Sequence, residues 1–193
     1  MARVLETQRS EMLLRRMHDP APIEYELALE MREGHMPVAY ITGSQEFWGL
    51  DFAVRPGVLI PRGDSETLVR AAIAARPDAK RVLDIGVGSG ALLLAVLSEL
   101  PEAKGMGIDV SSMACMVAAA NIERLGLIGR AQILMRDWTE ELWTDQLGRF
   151  DLILANPPYV ETHAQLAPEV SGHEPAEALF AGPLEADRVE RIH

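Results

Sequence analysis

Over residues 1–35 the apolar positions recur at helical spacing. Leu5, Met12, Leu13 and Met17 belong to one such stretch, which breaks at His18-Asp19-Pro20. Tyr25, Leu27 and Met31 belong to a second, ending near Gly34. From residue 36 to 61 the helical period disappears. Aromatic and β-branched residues cluster around Gly49, and the pattern predicts a β-hairpin with strands near 45–48 and 51–54. Asp64 or Ser65 is then expected to cap a helix through Glu66–Ala75, terminated by Arg76-Pro77.

From Arg81 the period alternates between strand and helix. RVLDIG reads as a short buried strand, and Gly90–Leu100 as an apolar helix ended by Pro101. GMGIDV is a second strand, followed by a helix that Ser111 caps and that runs to about Leu125, before Gly126. AQILMR and FDLILAN supply a third and a fourth strand, so the strands lie at about 81–86, 105–110, 131–135 and 151–155. Such alternation implies parallel strands joined by crossovers. The expected fold class is α/β, with an open, mostly parallel Rossmann-like sheet preceded by a small helical segment and a hairpin. We divide the chain into a region 1–61, expected to recognise substrate, and a domain 62–193. In the order 3-2-1-4 the fourth strand is an edge, and its apolar residues are expected to invite self-association.

Composition narrows the class. The chain has 193 residues, 48% of them hydrophobic, enough for a sizeable core. No apolar run approaches the roughly 18 residues of a membrane span, and the N-terminus lacks an apolar signal-peptide centre. The single Cys115 excludes an internal disulfide or CxxC metal site, and it is expected to pack in the core between Met113 and Met116. His18, His35, His163, His173 and His193 show no metal-ligand spacing, so no metal is expected. A cytoplasmic protein is expected. The net charge of −11 disfavours a protein that lives on a nucleic-acid backbone. Glu161, Glu169, Glu174, Glu177, Glu185, Asp187 and Glu190 read as one solvated acidic face.

Four constellations carry chemistry. Asp84-Ile85-Gly86-Val87-Gly88-Ser89-Gly90 joins a strand to a helix, and its glycines let a ligand approach main-chain N–H groups closely. Asp109 lies about 20 residues further on, at the end of a strand, where a carboxylate accepts bonds from ribose hydroxyls. The two together point to a nucleoside cofactor without separating a nicotinamide from a sulfonium one. Asp137 and Trp138 follow the third strand, placed to bond an adenine amino group and to lie against its ring.

The fourth constellation, Asn156-Pro157-Pro158-Tyr159, stands just past the fourth strand. A planar amide or amino nitrogen is a poor nucleophile because its lone pair is delocalised. It needs acceptors that hold both N–H groups and aim the nitrogen. The Asn156 side-chain oxygen and the Pro157 carbonyl suit that task, two prolines stiffen the loop, and Tyr159 is expected to pack flat on the planar group.

LDIGVGSG, Asp109, Asp137-Trp138 and NPPY together resemble class I methyltransferases. The upstream PVAYITGSQEFWG and VLIPRGDSETLV, and His173-Glu174-Pro175 with Ala178-Leu179, resemble the HemK/PrmC family of release-factor glutamine methyltransferases over roughly Pro37 to Gly182. The family commonly has proline where Gly63 stands and threonine where Ser65 stands. The resemblance implies transfer of a methyl group from S-adenosylmethionine to the N5 amide of the GGQ glutamine of a peptide-chain release factor, leaving S-adenosylhomocysteine. It implies that Gly86, Val87, Gly88, Ser89, Gly90, Asp109, Asp137, Trp138 and Asn156 hold the cofactor. Asn156, Pro157, Pro158 and Tyr159 hold the glutamine amide, with Asn156, Pro157 and Tyr159 as the catalytic set. It also implies a C-terminally shortened enzyme, since the family sheet has seven strands. An N-methyltransferase for nucleic-acid amino groups and a non-catalytic nucleoside- or partner-binding domain are the alternatives. The segment around EFWG and IPRGDSE favours the first reading over both.

Overall fold

The computed structural model describes residues 7, 9–16, 18–161 and 163–180. The polar stretch 184–193 and its acids Glu185, Asp187 and Glu190 lie outside the described residues, as does His193.

Two helices, α1 (Arg9–Arg15) and α2 (Ile23–Glu33), open the described chain, and α2 buries none of its side chains. A one-turn helix α3 (Val38–Thr42) follows, in a stretch where the sequence pattern predicted no helix. Pro37 starts it and Gly43 ends it at φ 73°. Strands β1 (Ser44–Phe47) and β2 (Leu50–Ala53) then pair antiparallel, one residue earlier than expected. Their two-residue turn has both central residues at positive φ, Trp48 at 55° and Gly49 at 70°. That matches the right-handed strand twist but is unusual for a tryptophan. The conformation is held from outside. The Trp48 amide donates to Glu66, its indole donates to Glu99 at 2.8 Å, and Arg70 lies 5.0 Å from its ring. The rings of Phe47 and Phe52 meet edge to face beneath the turn.

Ser65 does not cap the next helix, α4 (Glu66–Ala75). Gly63–Ser65 forms a 3-10 turn that runs straight into it, so Ser65 already has helical angles and its side chain makes no cap bond. Farther on the expectations hold closely. Strand β3 (Arg81–Ile85) leads to α5 (Ala91–Glu99), β4 (Lys104–Asp109), α6 (Ser112–Arg124), β5 (Ala131–Met135) and β6 (Leu152–Ala155). Ser111 caps α6 by accepting from the Ala114 amide. The four strands form a parallel sheet in the order β5-β4-β3-β6.

Both faces of the sheet are covered. Val82 and Leu154 join Leu93, Leu97, Ala118 and Ile122 of the helices, and α5 is apolar all round because it is buried from Ala91 to Leu97. Leu83, Ile85 and Ile108 face the other way, against Trp138, Trp143 and Phe150. Gly105 and Gly107 leave room for this packing: a Cβ on Gly105 would lie 2.7 Å from Leu93, and one on Gly107 would lie 2.5 Å from Val87. Strand β6 is an edge among the described residues, with Ile153 half exposed. Two one-turn helices, α7 (Pro168–Ser171) and α8 (Ala176–Leu179), close the described chain. No described helix is long and apolar enough to cross a membrane.

Asn121 of α6 joins three parts of this framework. It is fully buried. Its Oδ1 accepts from the Ala53 amide at 2.7 Å, and its Nδ2 donates to the carbonyls of Ala53 and Ser89 at 3.0 and 2.8 Å. Truncation leaves an amide and two carbonyls without that partner in the interior. Asn121→Ala is therefore expected to lower the unfolding free energy by at least about 2 kcal/mol in urea titration.

Candidate functional site

The site begins where β3 and β4 end side by side. Past Ile85 the chain turns through Gly86, Gly88 and Gly90 at φ 74°, 55° and 85°, angles that residues with a Cβ rarely adopt. The amides of Gly86 and Val87 both donate to the Ile108 carbonyl at 2.9 Å, fixing the loop to the neighbouring strand. At the end of β4 the Asp109 carboxylate accepts from the Gly88 amide through Oδ2 and from the Ser111 amide through Oδ1, each at 2.9 Å. It thus orders the glycine loop and the start of α6 at once. A carboxylate has about four lone-pair positions, so two bonds leave capacity for a ligand diol.

These elements line a cleft of about 310 Å³. One wall carries the glycine loop, Asp109, Val110 and Ala114; another carries Asp137, Trp138 and Thr139; a third carries Asn156, Pro157 and Pro158. The size and the mix of apolar surface with a few polar groups fit a nucleoside-sized ligand. The glycine loop can take a chain of atoms close to its backbone, Asp109 a pair of hydroxyls, and Trp138 a flat ring.

Of the predicted cofactor residues, Gly86, Val87, Gly88, Ser89, Asp109, Asp137, Trp138 and Asn156 line this cleft, whereas Gly90 lies just behind it at the start of α5. Asp137 lines it with its Oδ1 engaged by its own turn, accepting from the Thr139 amide at 2.8 Å and hydroxyl at 2.6 Å. Tyr159 is not brought in: it is 75% exposed and lies outside the lining, because the chain after Pro158 turns away to bridge Val160 to Phe180. Asn156 is half-buried, and no described residue bonds its side chain. From the hairpin Phe47 reaches the cleft, whereas Trp48 does not. From the following segment Ile60, Pro61, Arg62 and Ser65 reach it, whereas Glu66 is turned to Trp48 and Arg70. Cys115 is only half-buried, with its sulfur 3.7 Å from the Asp109 carbonyl, rather than packed in the core. Burial, with Asp109 nearby, pushes its thiol up and away from thiolate chemistry. Among the described residues no cluster has a metal-binding arrangement.

Two residues have surroundings that the sequence reading missed. Glu174, counted there with a solvated acidic face, has a side chain 1% exposed. Its Oε2 accepts from the Ile60 amide at 3.1 Å and its Oε1 from Arg62 at 2.5 Å. Its place between His173 and Pro175 was the available signal; its burial was not legible. Asp84, read as part of a buried strand, is fully enclosed with no hydrogen bond to either carboxyl oxygen. Burial holds it well above the usual carboxylate range, the nearby Leu93 amide only partly offsets this, and Asp109 adds to it.

The methyltransferase small-domain family model matches residues 62–172. A release factor glutamine methyltransferase of Caulobacter vibrioides is 46% identical over 159 residues, covering 80% of this chain and 54% of that one. One from Geobacter sulfurreducens is 47% identical over 148 residues, covering 76% and 50%. The chain thus spans about half the length of the curated relatives it matches. The crystal structure of the hMettl16 catalytic domain in complex with MAT2A 3'UTR hairpin 6 shares the fold, with a TM-score of 0.56 at 16% identity over 75% of this chain and 55% of that one.

Asp84 makes stability depend on pH. Its folded-state pKa lies above the unfolded value of about 3.9, so the unfolded chain ionises first as pH rises. Stability is therefore lost from about pH 4 upward through this group. Asp84→Asn is expected to flatten that part of the profile, gaining on the wild type as pH rises toward neutrality. Urea titrations of both proteins across that range check this.

Proposed function

The chain belongs to the methyltransferase small-domain family, and from that premise we propose that it methylates the side-chain amide nitrogen of a protein glutamine, with the GGQ glutamine of a peptide-chain release factor as acceptor. One observation carries the reading. Ile85 and Ala155 are register partners on adjacent parallel strands, so the glycine loop and the Asn156-Pro157 loop leave the same end of the sheet side by side. Strands in a sheet are about 4.8 Å apart. A ligand on the first loop and a planar amide on the second therefore meet in one cleft.

The cofactor that fits is S-adenosylmethionine. When bound, it supplies an electrophilic methyl group and leaves as S-adenosylhomocysteine. Asp109 would take its ribose hydroxyls, the loop from Gly86 to Gly90 its amino-acid end, and Trp138 its purine ring. The Asn156 side-chain oxygen and the Pro157 carbonyl accept the two N–H groups of the glutamine amide. That grip turns the nitrogen toward the donor and draws electron density onto it. Pro157 and Pro158 have no N–H of their own to compete for those acceptors. The work is positioning more than acid–base catalysis: as the nitrogen gains the methyl group it gives up one N–H proton, which passes to solvent. The names of the Caulobacter and Geobacter relatives favour a release factor over a nucleic-acid base, and a cytoplasmic location suits that acceptor.

Incubation with methyl-labelled S-adenosylmethionine and either a release factor or DNA tests the reading. Label is expected in the release factor at its glutamine; label only in DNA would overturn it. Asp109→Ala is expected to weaken cofactor affinity at least about tenfold in calorimetric titration, since each charge-assisted bond is worth roughly 1.5–3 kcal/mol. Asn156→Ala is expected to depress kcat with a smaller effect on cofactor affinity, the pattern of a contact made mostly in the transition state.

A further inference from the structure

The segment that follows the hairpin, from Gly57 to Arg62, also lines the cleft and brings a cation to it. Arg62 is the only lysine or arginine among the described residues lining the cleft. Its side chain is 39% exposed, and its acceptor among the described residues is Glu174, whose own side chain is 1% exposed. Glu174 is in turn fixed by the Ile60 amide two residues before Arg62. A buried carboxylate thus holds both the backbone and the guanidinium of one short segment.

The segment that supplies Glu174 is anchored on its other sides too. The Val160 amide donates to the Leu179 carbonyl, which ties the exit of the Asn156-Pro157 loop to α8. His173 meets the Gly34 carbonyl at 2.9 Å, and Arg32 pairs with Glu169 at 2.7 Å. Pro175 and Ala178 themselves line the cleft. Glu174 is the buried charge at the centre of this stitching, and Arg62 is the group it presents to solvent at the cleft.

We propose that Arg62 is a further acceptor-binding residue, donating to a main-chain carbonyl oxygen of the segment that carries the methylated glutamine, and that Glu174 is the positioning residue that aims it. This rests on the glutamine-methyltransferase reading above. A guanidinium has five N–H donors in a fixed plane, and Glu174 occupies one edge of it. The ion pair neutralises the charge, so the remaining edge offers direction more than attraction for anions. The other charged groups lining the cleft, Asp109, Asp137 and Glu177, repel a carboxylate. A neutral carbonyl oxygen fits both facts. Holding such an oxygen at the wall fixes the acceptor's main chain while its side-chain amide reaches Asn156.

Steady-state kinetics with a release factor as acceptor, and calorimetry with S-adenosylhomocysteine, test the pair. Arg62→Ala is expected to raise the acceptor KM at least about tenfold, as loss of a charge-assisted bond does, with kcat less affected and S-adenosylhomocysteine affinity unchanged. Arg62→Lys, which keeps the charge without the fork, is expected to fall between. Glu174→Gln retains an acceptor for the Ile60 amide and avoids the unfolding risk of Glu174→Ala. It is expected to raise the same KM, and the double variant Arg62→Ala/Glu174→Gln is expected to be no worse than Arg62→Ala alone. A wild-type KM in Arg62→Ala overturns the proposal and leaves the glutamine reading standing. Effects of the two variants that multiply, or an equal loss of S-adenosylhomocysteine affinity, also overturn it. A wild-type chain that methylates no glutamine removes the reading and the proposal together.

Discussion

The buried amide of Asn121 is the interaction on which the arrangement of hairpin, α6 and glycine loop depends. Ala53, on the hairpin, is 68 residues from it in sequence, and Ser89, in the glycine loop, is 32 residues from it. A primary amide suits the task because it both donates and accepts, and here it meets a strand amide and carbonyl as well as the loop carbonyl. Without it the two-stranded hairpin would keep only its peripheral polar ties, from Trp48 to Glu66 and Glu99 and from Arg124 to the Asp51 carbonyl, and would lose its buried one. The glycine loop would keep its bonds to Ile108 and Asp109 but lose its direct bond to α6. Asn121 thus joins the hairpin, α6 and the glycine loop through one side chain.

The sheet sets the rest. Parallel strands put the loops that follow them at one end, and the order β5-β4-β3-β6 puts β4 and β6 on either side of β3. Asp109 and Asn156 therefore flank the glycine loop from opposite sides. Close packing beneath the loop requires small residues on β4, and Gly107 supplies the space into which Val87 fits. Asp84 is the cost of this arrangement. A carboxyl group enclosed without a hydrogen bond works against stability near neutral pH, and it sits directly before the glycine loop. Local stability has been traded there in the region where the chemistry is expected.

The acidic count also needs reinterpretation. A net charge of −11 suggests a surface that repels nucleic acid, and most of the acids are indeed exposed. Glu174 departs from this because it satisfies a backbone amide and an arginine that no other described group satisfies in that wall. Net charge describes the field around the molecule; it says nothing about which individual carboxylate has been drawn inside.

The sequence by itself determined the alternation of β3, α5, β4, α6, β5 and β6 and the placement of the glycine loop, Asp109 and Asn156 at the ends of their strands. The order of the strands was an expectation from the family resemblance, and the structure bears it out. The alternation and the placement follow from local causes: buried strands are short apolar runs, glycines and prolines mark their ends, and parallel crossovers allow few topologies. The helix α3 was not legible because its start and stop, Pro37 and Gly43, bracket only one turn. The cap expected at Ser65 failed because a 3-10 turn, indistinguishable by composition, had already begun the helix. Tertiary structure alone decided that Glu174 is buried, that Arg62 faces the cleft while Glu66 turns to Trp48, that Tyr159 points away, and that Asn121 is bonded on every side. Each of those outcomes depends on partners far away in the chain. The hydrogen-bonding needs of a backbone amide or an arginine are met by whatever the fold brings near, and no local pattern of residues records that.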